Sequence, residues 1–284
     1  MCIRDRLNNS LNTLLKLSPK TIQAEEISQL WRKLNPDAPP RPYVGDHAKR
    51  FATSVNDLLP LVRKPRVLDI AGNRLSRDIF SKFLKAKDYA STAKTLDIEI
   101  DNWFESEIEE NYFNLAILTE VIEHMSADPA HVLCSANNAL AEEGLLYLTT
   151  PNIGSALGIY NLAHGHAPYH WGVLLGERGD RHQREYAANE LEYLVAANGF
   201  ETKMWTCDMY EKTSYHQNAA RWVGKNLEII DKSLLGDTIV IVAKKVEHLS
   251  SPIRVSPIYA ENISENPGSE TLAKIPSRLG KFNL

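Results

Sequence analysis

The sequence predicts an α/β protein built on a doubly wound, mainly parallel sheet. Two observations carry this prediction. Short apolar runs alternate along the chain with segments whose apolar residues recur at helical spacing. The first such pair, a strand at Val67–Ile70 and a helix at Arg77–Leu84, is joined through Gly72. Alternation of this kind places parallel strands in one sheet with helices on both of its faces.

Composition narrows the class of protein. The chain has 284 residues, of which 43% are hydrophobic, and a formal net charge of −4. This length predicts one large domain or two small ones, and the charge gives no reason to expect nucleic acid or an anionic membrane as a partner. Cys2, Cys134 and Cys207 are far apart, which argues against a disulfide framework or a thiolate zinc site and favours a cytoplasmic location. No apolar run reaches the roughly 20 residues of a membrane span.

Two helices are predicted ahead of the first strand. Apolar residues at i, i+3, i+4 and i+7 indicate a helix at Ala24–Leu34, which the proline-rich segment 35–42 ends. A second helix is expected at about Asp46–Leu61. Residues 1–45 are therefore expected to form a helical extension and linker. It either covers one edge of the core, as a lid or partner surface, or packs simply against the sheet.

Further strands and helices follow the first pair in alternation, and the last two strands suit an antiparallel hairpin at one edge. The remaining strands are predicted at Ala93–Glu99, Phe113–Leu118, Leu145–Thr150, Glu201–Trp205 and Thr238–Ala243. Helices are predicted after Asp128-Pro129, near Ala156–Leu162 and at Glu190–Gly199. The core is expected to span residues 46–246. Residues 247–284, rich in proline and serine, are expected to form a disordered tail.

The first turn, Asp69–Asn73, allows two interpretations on its own. A glycine at position 72 would let a nucleotide-like cofactor approach the backbone without a Cβ in the way, but an ordinary strand-to-helix turn has the same pattern. In the second predicted strand, Asp97 is placed to accept hydrogen bonds from both ribose hydroxyls of such a cofactor. Glu99 and Asp101 compete for that role, and all three acids could instead be solvated.

The order of the motifs resembles that of class I S-adenosylmethionine-dependent methyltransferases over about residues 46–245. The motifs are Leu68-Asp-Ile-Ala-Gly72, Glu120-Val-Ile-Glu-His124, Thr149-Thr-Pro-Asn152, and the closing segment His182-Gln-Arg-Glu-Tyr186, Glu190-Leu191, Gly199-Phe200. The resemblance implies a Rossmann-like sheet of seven strands, the last inserted antiparallel. It also implies S-adenosyl-L-methionine as the cofactor.

The same resemblance implies which residues bind the cofactor. They are Asp69, Ile70, Ala71, Gly72, Asn73, Asp97, Ile98, Thr119 and Glu120. The sequence departs from the family pattern in two places. Ala71 and Arg74 stand where small residues are expected, and the segment between Asp97 and Phe113 is short, so that the usual third strand is compressed or absent.

Histidines follow the strands that should carry the acceptor. Methyl transfer from a sulfonium chiefly requires alignment in a dry site, and a base is needed only when the acceptor is a poorly ionised hydroxyl or amine. His124, just past a strand's carboxyl end, is the first candidate for that base, and His182 is the second. A bracing role for His124, toward the helix that follows it, is equally compatible with the sequence.

Glu120, Glu123, His124 and His182 also resemble the two-glutamate, two-histidine metal site of enzymes that methylate the terminal ribose of small RNAs. The same string occurs in metal-free methyltransferases, and the chain has no basic patch for RNA. We therefore expect metal-free methyl transfer to an oxygen or nitrogen of a small-molecule, sugar or lipid-linked acceptor. The alternatives are a metal-dependent RNA ribose 2′-O-methyltransferase and a non-catalytic binding partner with the same fold.

Overall fold

A computed structural model of the chain describes residues 21–36, 42–92, 97–106, 108–168, 182–228, 231–255 and 258. Helices and strands alternate within them as predicted, except that the helix Ser214–Asn226 was not predicted. The helices are α1 (Ala24–Leu34), α2 (Pro42–Leu58), α3 (Arg74–Leu84), α4 (Pro129–Ala139), α5 (Ala156–Ala163), α6 (Ala188–Ala197) and α7 (Ser214–Asn226). The strands are β1 (Arg66–Asp69), β2 (Asp88–Ser91), β3 (Phe113–Thr119), β4 (Leu140–Pro151), β5 (Phe200–Cys207) and β6 (Thr238–Lys245).

The six strands form one sheet in the order β2-β1-β3-β4-β6-β5. The first four strands of that order are parallel, and β6 runs antiparallel to both of its neighbours. The predicted mainly parallel sheet with an antiparallel pair at one edge is confirmed. The seventh strand is not found among the described residues, because the chain between β2 and β3 forms turns and a short 3₁₀ segment, Trp103–Glu105, whose tryptophan is buried.

The sheet separates two apolar layers. Val67 of β1 and Ile117 of β3 belong to the layer that also contains residues of α1, α2 and α3. Their neighbours Leu68 and Leu118 point to the opposite layer, which contains residues of α4 and α6. Because both faces are covered, the strands need apolar side chains in succession, which explains the short continuous runs seen in the sequence.

The two N-terminal helices pack on the same face as α3. Helix α1 has the predicted bounds, and the segment before it is fixed by Asn56, whose amide exchanges two hydrogen bonds with the backbone of Ile22. Helix α2 begins at Pro42, so the predicted division at residue 45 falls inside a helix. Phe51 of α2 meets Phe80 of α3 edge to face, with ring centroids 5.9 Å apart. Packing against the sheet is thus one role of this extension.

The position of the second strand was predicted wrongly. The second strand of the sheet lies at Asp88–Ser91, and residues 97–99, the end of the strand predicted at Ala93–Glu99, lie in a turn. The reason is a short connection: Lys85 ends α3 in the left-handed conformation, and the amide of Lys87 donates to the carbonyl of Pro65, which brings Asp88 beside Arg66. Residues 93–96 lie outside the described part of the chain.

The predicted disorder from residue 247 onward is wrong for residues 247–255. The side-chain amide of Asn198 fixes this segment. Its Nδ2 donates to the carbonyl of Ile253, and its Oδ1 accepts from the N–H of the same residue, both at 3.0 Å. Val255 is buried, and Arg254 pairs with Asp128. Residues 259–284 lie outside the described residues. None of the helices that the structure describes is both long enough and apolar enough to cross a membrane.

Candidate active site

The first turn is organised around the carboxylate of Asp69, the last residue of β1. Asp69 is 2% exposed, and its Oδ2 accepts hydrogen bonds from Ser76 Oγ at 2.7 Å and from the hydroxyl of Tyr89. A Cβ on residue 72 would lie 1.8 Å from that same Oδ2. The structure therefore requires glycine at position 72 in order to accommodate a protein carboxylate, where the sequence suggested ligand approach as the reason.

Burial raises the pKa of Asp69 from its ordinary value of 3.8 to about 6. The hydrogen bonds from Tyr89 and Ser76 and the positive charge of Arg50 act in the opposite direction and limit the rise. Arg50, on α2, is itself only 4% exposed. A cation of α2 thus lies near the first turn.

The backbone of the first turn is fixed by hydroxyls at the end of β2. Ala71 has a φ of 57°, in the left-handed region where alanine is disfavoured by about 1 kcal/mol. Its N–H donates to Thr92 Oγ1 at 2.8 Å, and Ser91 Oγ donates to the carbonyl of Gly72 at 2.6 Å. These two bonds hold the turn in a conformation that alanine would not otherwise favour.

The side chains of Ile70 and Asn73 serve the turn itself. Ile70 is fully buried, and its N–H donates to the carbonyl of Ile117. Asn73 caps α3, because its Oδ1 accepts from the N–H groups of Leu75 and Ser76 at 2.8 and 3.2 Å. Both side chains thus have structural roles in the turn.

The strand β2 ends in hydroxyl residues, and the expected carboxylate does not stand at its end. Asp97 lies several residues further on, in an exposed turn, where its Oδ1 accepts from the N–H of Glu99 at 3.1 Å and its own N–H donates to Asp101. The assignment of Asp97 as the ribose ligand stays a prediction, without the strand end that motivated it.

The competitor Glu99 has a structural role. Its carboxylate accepts three backbone N–H bonds, from Ser126, Ala127 and Asp128, immediately ahead of α4. Ile98, also expected near the ribose, packs against the core. The segment after β2 is thereby anchored to the turn that precedes α4.

A second turn, residues 120–124, follows β3, the strand next to β1. Glu120 has a φ of 55° and is again a non-glycine residue in the left-handed region. Its carboxylate accepts from Thr149 Oγ1 at 2.9 Å and from the hydroxyl of Tyr210 at 2.6 Å. Glu120 thus connects Thr119, at the end of β3, with β4 and with the segment after β5. Strained backbone of this kind persists where surrounding contacts over-determine it, as they do at ligand sites.

Glu123 is a fully buried carboxyl group in the same turn. Its Oε2 accepts from Thr150 Oγ1 at 2.8 Å, whereas Oε1 accepts no hydrogen bond from the described residues and lies 3.8 Å from His124 Nε2. Burial, and secondly the negative charge of Glu120, raise the pKa of Glu123 well above its ordinary value. A buried acid with one unsatisfied oxygen at the carboxyl end of a parallel strand marks a candidate site.

The two predicted catalytic histidines come together. His124 and His182 meet edge to face with ring centroids 4.9 Å apart. The Nδ1 of His182 lies 2.7 Å from Oε1 of Glu185, a buried residue. Because a carboxylate only accepts, Nδ1 carries the proton and Nε2 is left as the basic nitrogen. The backbone of the second turn holds this arrangement, since the carbonyl of Glu123 accepts from two N–H groups of the closing segment.

Three of the four residues in the metal alternative lie close together. Glu123, His124 and His182 can each offer a ligand atom, and those atoms lie within 4.8 Å of one another. Glu120 belongs to a different set of contacts, with Thr149 and Tyr210. One carboxylate and two imidazoles form a donor set that suits a borderline divalent ion such as Zn²⁺.

The sequence prediction missed three residues of this site. Arg50 could have been suspected from a cation on the apolar face of an amphipathic helix. Glu185 lies inside a motif that was recognised but was given no role. Tyr210 follows β5 in a segment without a periodic signal, and it reaches Glu120 only through the tertiary fold.

A cavity of about 600 Å³ lies between α5, α7 and the end of β5. Six of its lining residues are Cys207, Lys212, His216, Ala220, Leu235 and Asp237. The carboxylate of Asp237 accepts from the N–H groups of Met209 and Tyr210, so the cavity wall is tied to the residue that bonds Glu120. Its volume is typical of a small-molecule site.

The doubly wound sheet with its antiparallel last strand matches the Rossmann-like fold of methyltransferases, and the sequence agrees. A profile of the methyltransferase domain family matches residues 43–203, more than half of the chain, which therefore belongs to that family. The protein is an S-adenosylmethionine-dependent methyltransferase, as the motif order implied. No curated protein matches the chain.

Similar solved structures share low sequence identity with the chain. An S-adenosylmethionine-dependent methyltransferase from Thermotoga maritima is 16% identical with a TM-score of 0.45, over 69% of this chain and 91% of that one. One from Archaeoglobus fulgidus is 15% identical with a TM-score of 0.44, over 77% and 99% of the two chains. The Burkholderia thailandensis 1,6-didemethyltoxoflavin-N1-methyltransferase, solved with S-adenosylhomocysteine, is 16% identical with a TM-score of 0.42, over 81% and 94%.

Proposed function

We propose that this enzyme transfers the methyl group of S-adenosyl-L-methionine to an oxygen or nitrogen atom of a small-molecule, sugar or lipid-linked acceptor, with His124 and His182 as the catalytic pair. The observation that carries the proposal is the edge-to-face contact of these histidines beyond the carboxyl end of β3, each beside a buried glutamate. An acceptor hydroxyl or amine that must lose a proton needs such a base.

The site suits the charge of the cofactor. Asp69 and Glu120 lie at the ends of two adjacent strands, and their carboxylates favour a cationic ligand. When bound, S-adenosylmethionine supplies an electrophilic methyl group on a good leaving group. The backbone of residues 70–73 and Thr119 would hold it, and the chain would align the acceptor and exclude water.

The two histidines differ in exposure, which suggests different roles. The side chain of His124 is 31% exposed, whereas that of His182 is 6% exposed. His182 has the arrangement of a general base, since its Nδ1 proton is held by Glu185 and its Nε2 is basic. His124 contacts the acceptor and positions it against that nitrogen.

The acceptor is expected to be small because of the neighbouring cavity. Its volume of about 600 Å³ accommodates a metabolite-sized group, and the cavity wall is linked through Tyr210 to Glu120. The net charge of −4 gives no electrostatic advantage to a polyanionic acceptor.

A turnover assay tests the proposal. Formation of S-adenosylhomocysteine would be measured over a panel of hydroxyl and amine metabolites, and cofactor affinity by calorimetry. His182→Asn should lower kcat by about 10²–10⁴-fold, the range for loss of a general base, while cofactor affinity is retained. Glu185→Gln should have a smaller effect in the same direction, and Ala220→Trp should raise the acceptor KM.

His131→Asn is the matched control, because His131 lies on α4 and contacts the carbonyl of Asp101. It should leave turnover unchanged. Full turnover by His182→Asn would contradict the proposed base. If the wild-type chain fails to bind S-adenosylmethionine at millimolar concentration, the non-catalytic alternative replaces the proposal.

A metal-dependent methyltransferase is the second candidate, and the proximity of Glu123, His124 and His182 favours it. A chelator should then abolish turnover, and added Zn²⁺ or Mn²⁺ should restore it. RNA oligonucleotides in the acceptor panel would test the ribose 2′-O-methyltransferase variant of this candidate. Turnover that is indifferent to the chelator would exclude the metal role.

A further inference from the structure

The sheet ends in two edge strands that differ in length. The strand β2 has four residues, Asp88–Ser91, whereas β5 has eight, Phe200–Cys207. Natural sheets keep exposed edges short or interrupt them with proline or a bulge, because unpaired backbone groups are a template for another strand. The strand β5 contains no proline, and it pairs with β6 in one continuous register. The β5 edge is therefore the one that can accept a further strand.

The pairing of β5 with β6 determines which of its backbone groups face outward. The N–H of Val246 donates to the carbonyl of Gly199 at 3.0 Å, just before β5 begins. In an antiparallel pair every second residue forms these bonds, so the odd-numbered residues of β5 bond to β6. The even-numbered residues direct their N–H and carbonyl groups away from the sheet; they are Phe200, Thr202, Met204 and Thr206.

The described part of the chain covers the carboxyl end of this edge and leaves its middle open. Thr206 Oγ1 donates to the carbonyl of Ser233 at 2.6 Å and accepts from the N–H of Gly236 at 2.9 Å. Within the described residues, no donor or acceptor meets the outward N–H and carbonyl groups of Thr202 or Met204. The middle of β5 thus presents main-chain groups that a further strand can bind.

The charges of β5 are self-complementary about Thr202. Glu201 and Lys203 flank it on the other face of the strand, whereas the Thr202 hydroxyl donates to Glu192 of α6 at 2.9 Å. If a second β5 runs antiparallel and is centred on Thr202, its Lys203 lies opposite Glu201 at a non-hydrogen-bonded position, where side chains are closest. A register centred on Lys203 would set two lysines opposite each other, which is unfavourable. Of these two registers, charge therefore favours the one centred on Thr202.

We propose that the β5 edge binds the β5 edge of a second copy of this chain, antiparallel and centred on Thr202, so that the two sheets continue into one. The two Thr202 residues exchange main-chain hydrogen bonds, as do Phe200 and Met204 on either side of them. A Glu201–Lys203 pair lies on each side of the two-fold axis. Because the pairing is antiparallel, the carboxyl ends of the parallel strands in the two copies point in opposite directions, and dimerisation keeps the two candidate active sites apart.

Sedimentation velocity over a range of protein concentrations tests the proposal. The wild-type chain should form a reversible dimer. Thr202→Pro should weaken it by about 10–100-fold, the effect of losing two main-chain hydrogen bonds, whereas the fold of the single chain does not use that outward N–H. Thr202→Val is the matched control, because it keeps the N–H and lacks only the hydroxyl that bonds Glu192. It should dimerise like the wild type.

Charge reversal tests the register. Glu201→Lys alone and Lys203→Glu alone should each weaken the dimer, because each sets like charges opposite each other across the interface. A mixture of the two variants should form the heterodimer, in which every facing pair is again opposite in charge. This rescue by mixing also shows that both variants are folded.

A wild-type chain that stays monomeric at every concentration would overturn the proposal. A dimer that Thr202→Pro leaves intact would do the same, since it places the interface elsewhere. If circular dichroism shows that Thr202→Pro does not fold, the charge variants decide. Homodimers of Glu201→Lys or Lys203→Glu as stable as the wild type, or a mixture without preference for the heterodimer, would refute the pairing centred on Thr202.

Discussion

The first turn, residues 70–73, and the second turn, residues 120–124, are built alike and used differently. Each follows a parallel strand of the same pair, and each holds a non-glycine residue at positive φ, Ala71 and Glu120. In the first turn the polar groups form hydrogen bonds within the protein. Asp69 accepts from Ser76 and Tyr89, and Asn73 caps α3. Beside the second turn, the carboxyl group of Glu123 and the imidazoles of His124 and His182 bring their ligand atoms within 4.8 Å of one another.

This difference indicates that the first turn positions the backbone, whereas the second turn carries side chains that can react or bind. A turn whose side chains are internally satisfied presents a rigid backbone to a ligand. A turn with an unsatisfied acid and paired histidines can bind a proton, an acceptor or an ion. Substitutions in the first turn should therefore act mainly on stability, in contrast to the His182 substitution, which should act on turnover.

The largest effect is expected from Gly72→Ala. The new Cβ would lie 1.8 Å from Asp69 Oδ2, so the buried carboxylate must move out of its hydrogen bonds. Urea denaturation should show a loss of about 2–3 kcal/mol, the usual scale of overpacking. The double variant Asp69→Ala/Gly72→Ala should recover part of that loss. Gly224→Ala is the control, because its Cβ would meet no atom within 4 Å; an equal loss in Gly72→Ala and the control would remove the steric argument.

A smaller effect is expected from the titration of Asp69. Its pKa is raised from 3.8 to about 6 in the folded protein, so the folded state binds more protons than the unfolded state between those values. This contribution to stability is fully present below pH 3.8 and is lost as the pH rises through about 6. Asp69→Asn should remove that pH dependence and should raise the free energy of unfolding at pH 7 by about 1–2 kcal/mol. Parallel stability profiles of the variant and the wild type between pH 4 and pH 7 would contradict the assignment.

The smallest effect is expected from Asn73→Ala. Loss of the cap on α3 should lower the free energy of unfolding by about 1 kcal/mol, measured by thermal unfolding. The affinity for S-adenosylmethionine should change little, because the Asn73 side chain caps the helix. A large loss of cofactor affinity without a loss of stability would show that this side chain contacts the ligand and would break the contrast between the two turns. Asn73→Asp, which can still cap the helix, is the matched control.

Local sequence patterns were sufficient to place some of the helices and strands, but not all of them. Helix α1 lies within its predicted bounds, because its apolar residues repeat at helical spacing and a proline-rich segment follows. The second strand was misplaced because Asp88–Ser91 is short and half-exposed, whereas the predicted 93–99 has the stronger apolar and acidic pattern. Pairing with β1, set by the tight connection after α3, decided its position. The ordered segment 247–255 was likewise decided by a distant amide, that of Asn198.

The sequence by itself determined the fold class, the family and the position of both turns, because alternating periodicity and ordered motifs are local properties of the chain. It also singled out His124 and His182. Only the tertiary structure brought those histidines into contact and joined Glu120 to Tyr210. Contacts between residues so far apart in sequence depend on how the helices and strands pack, and no local pattern records them. The structure also explains why residue 72 is glycine, because a Cβ there would overlap the buried carboxylate of Asp69.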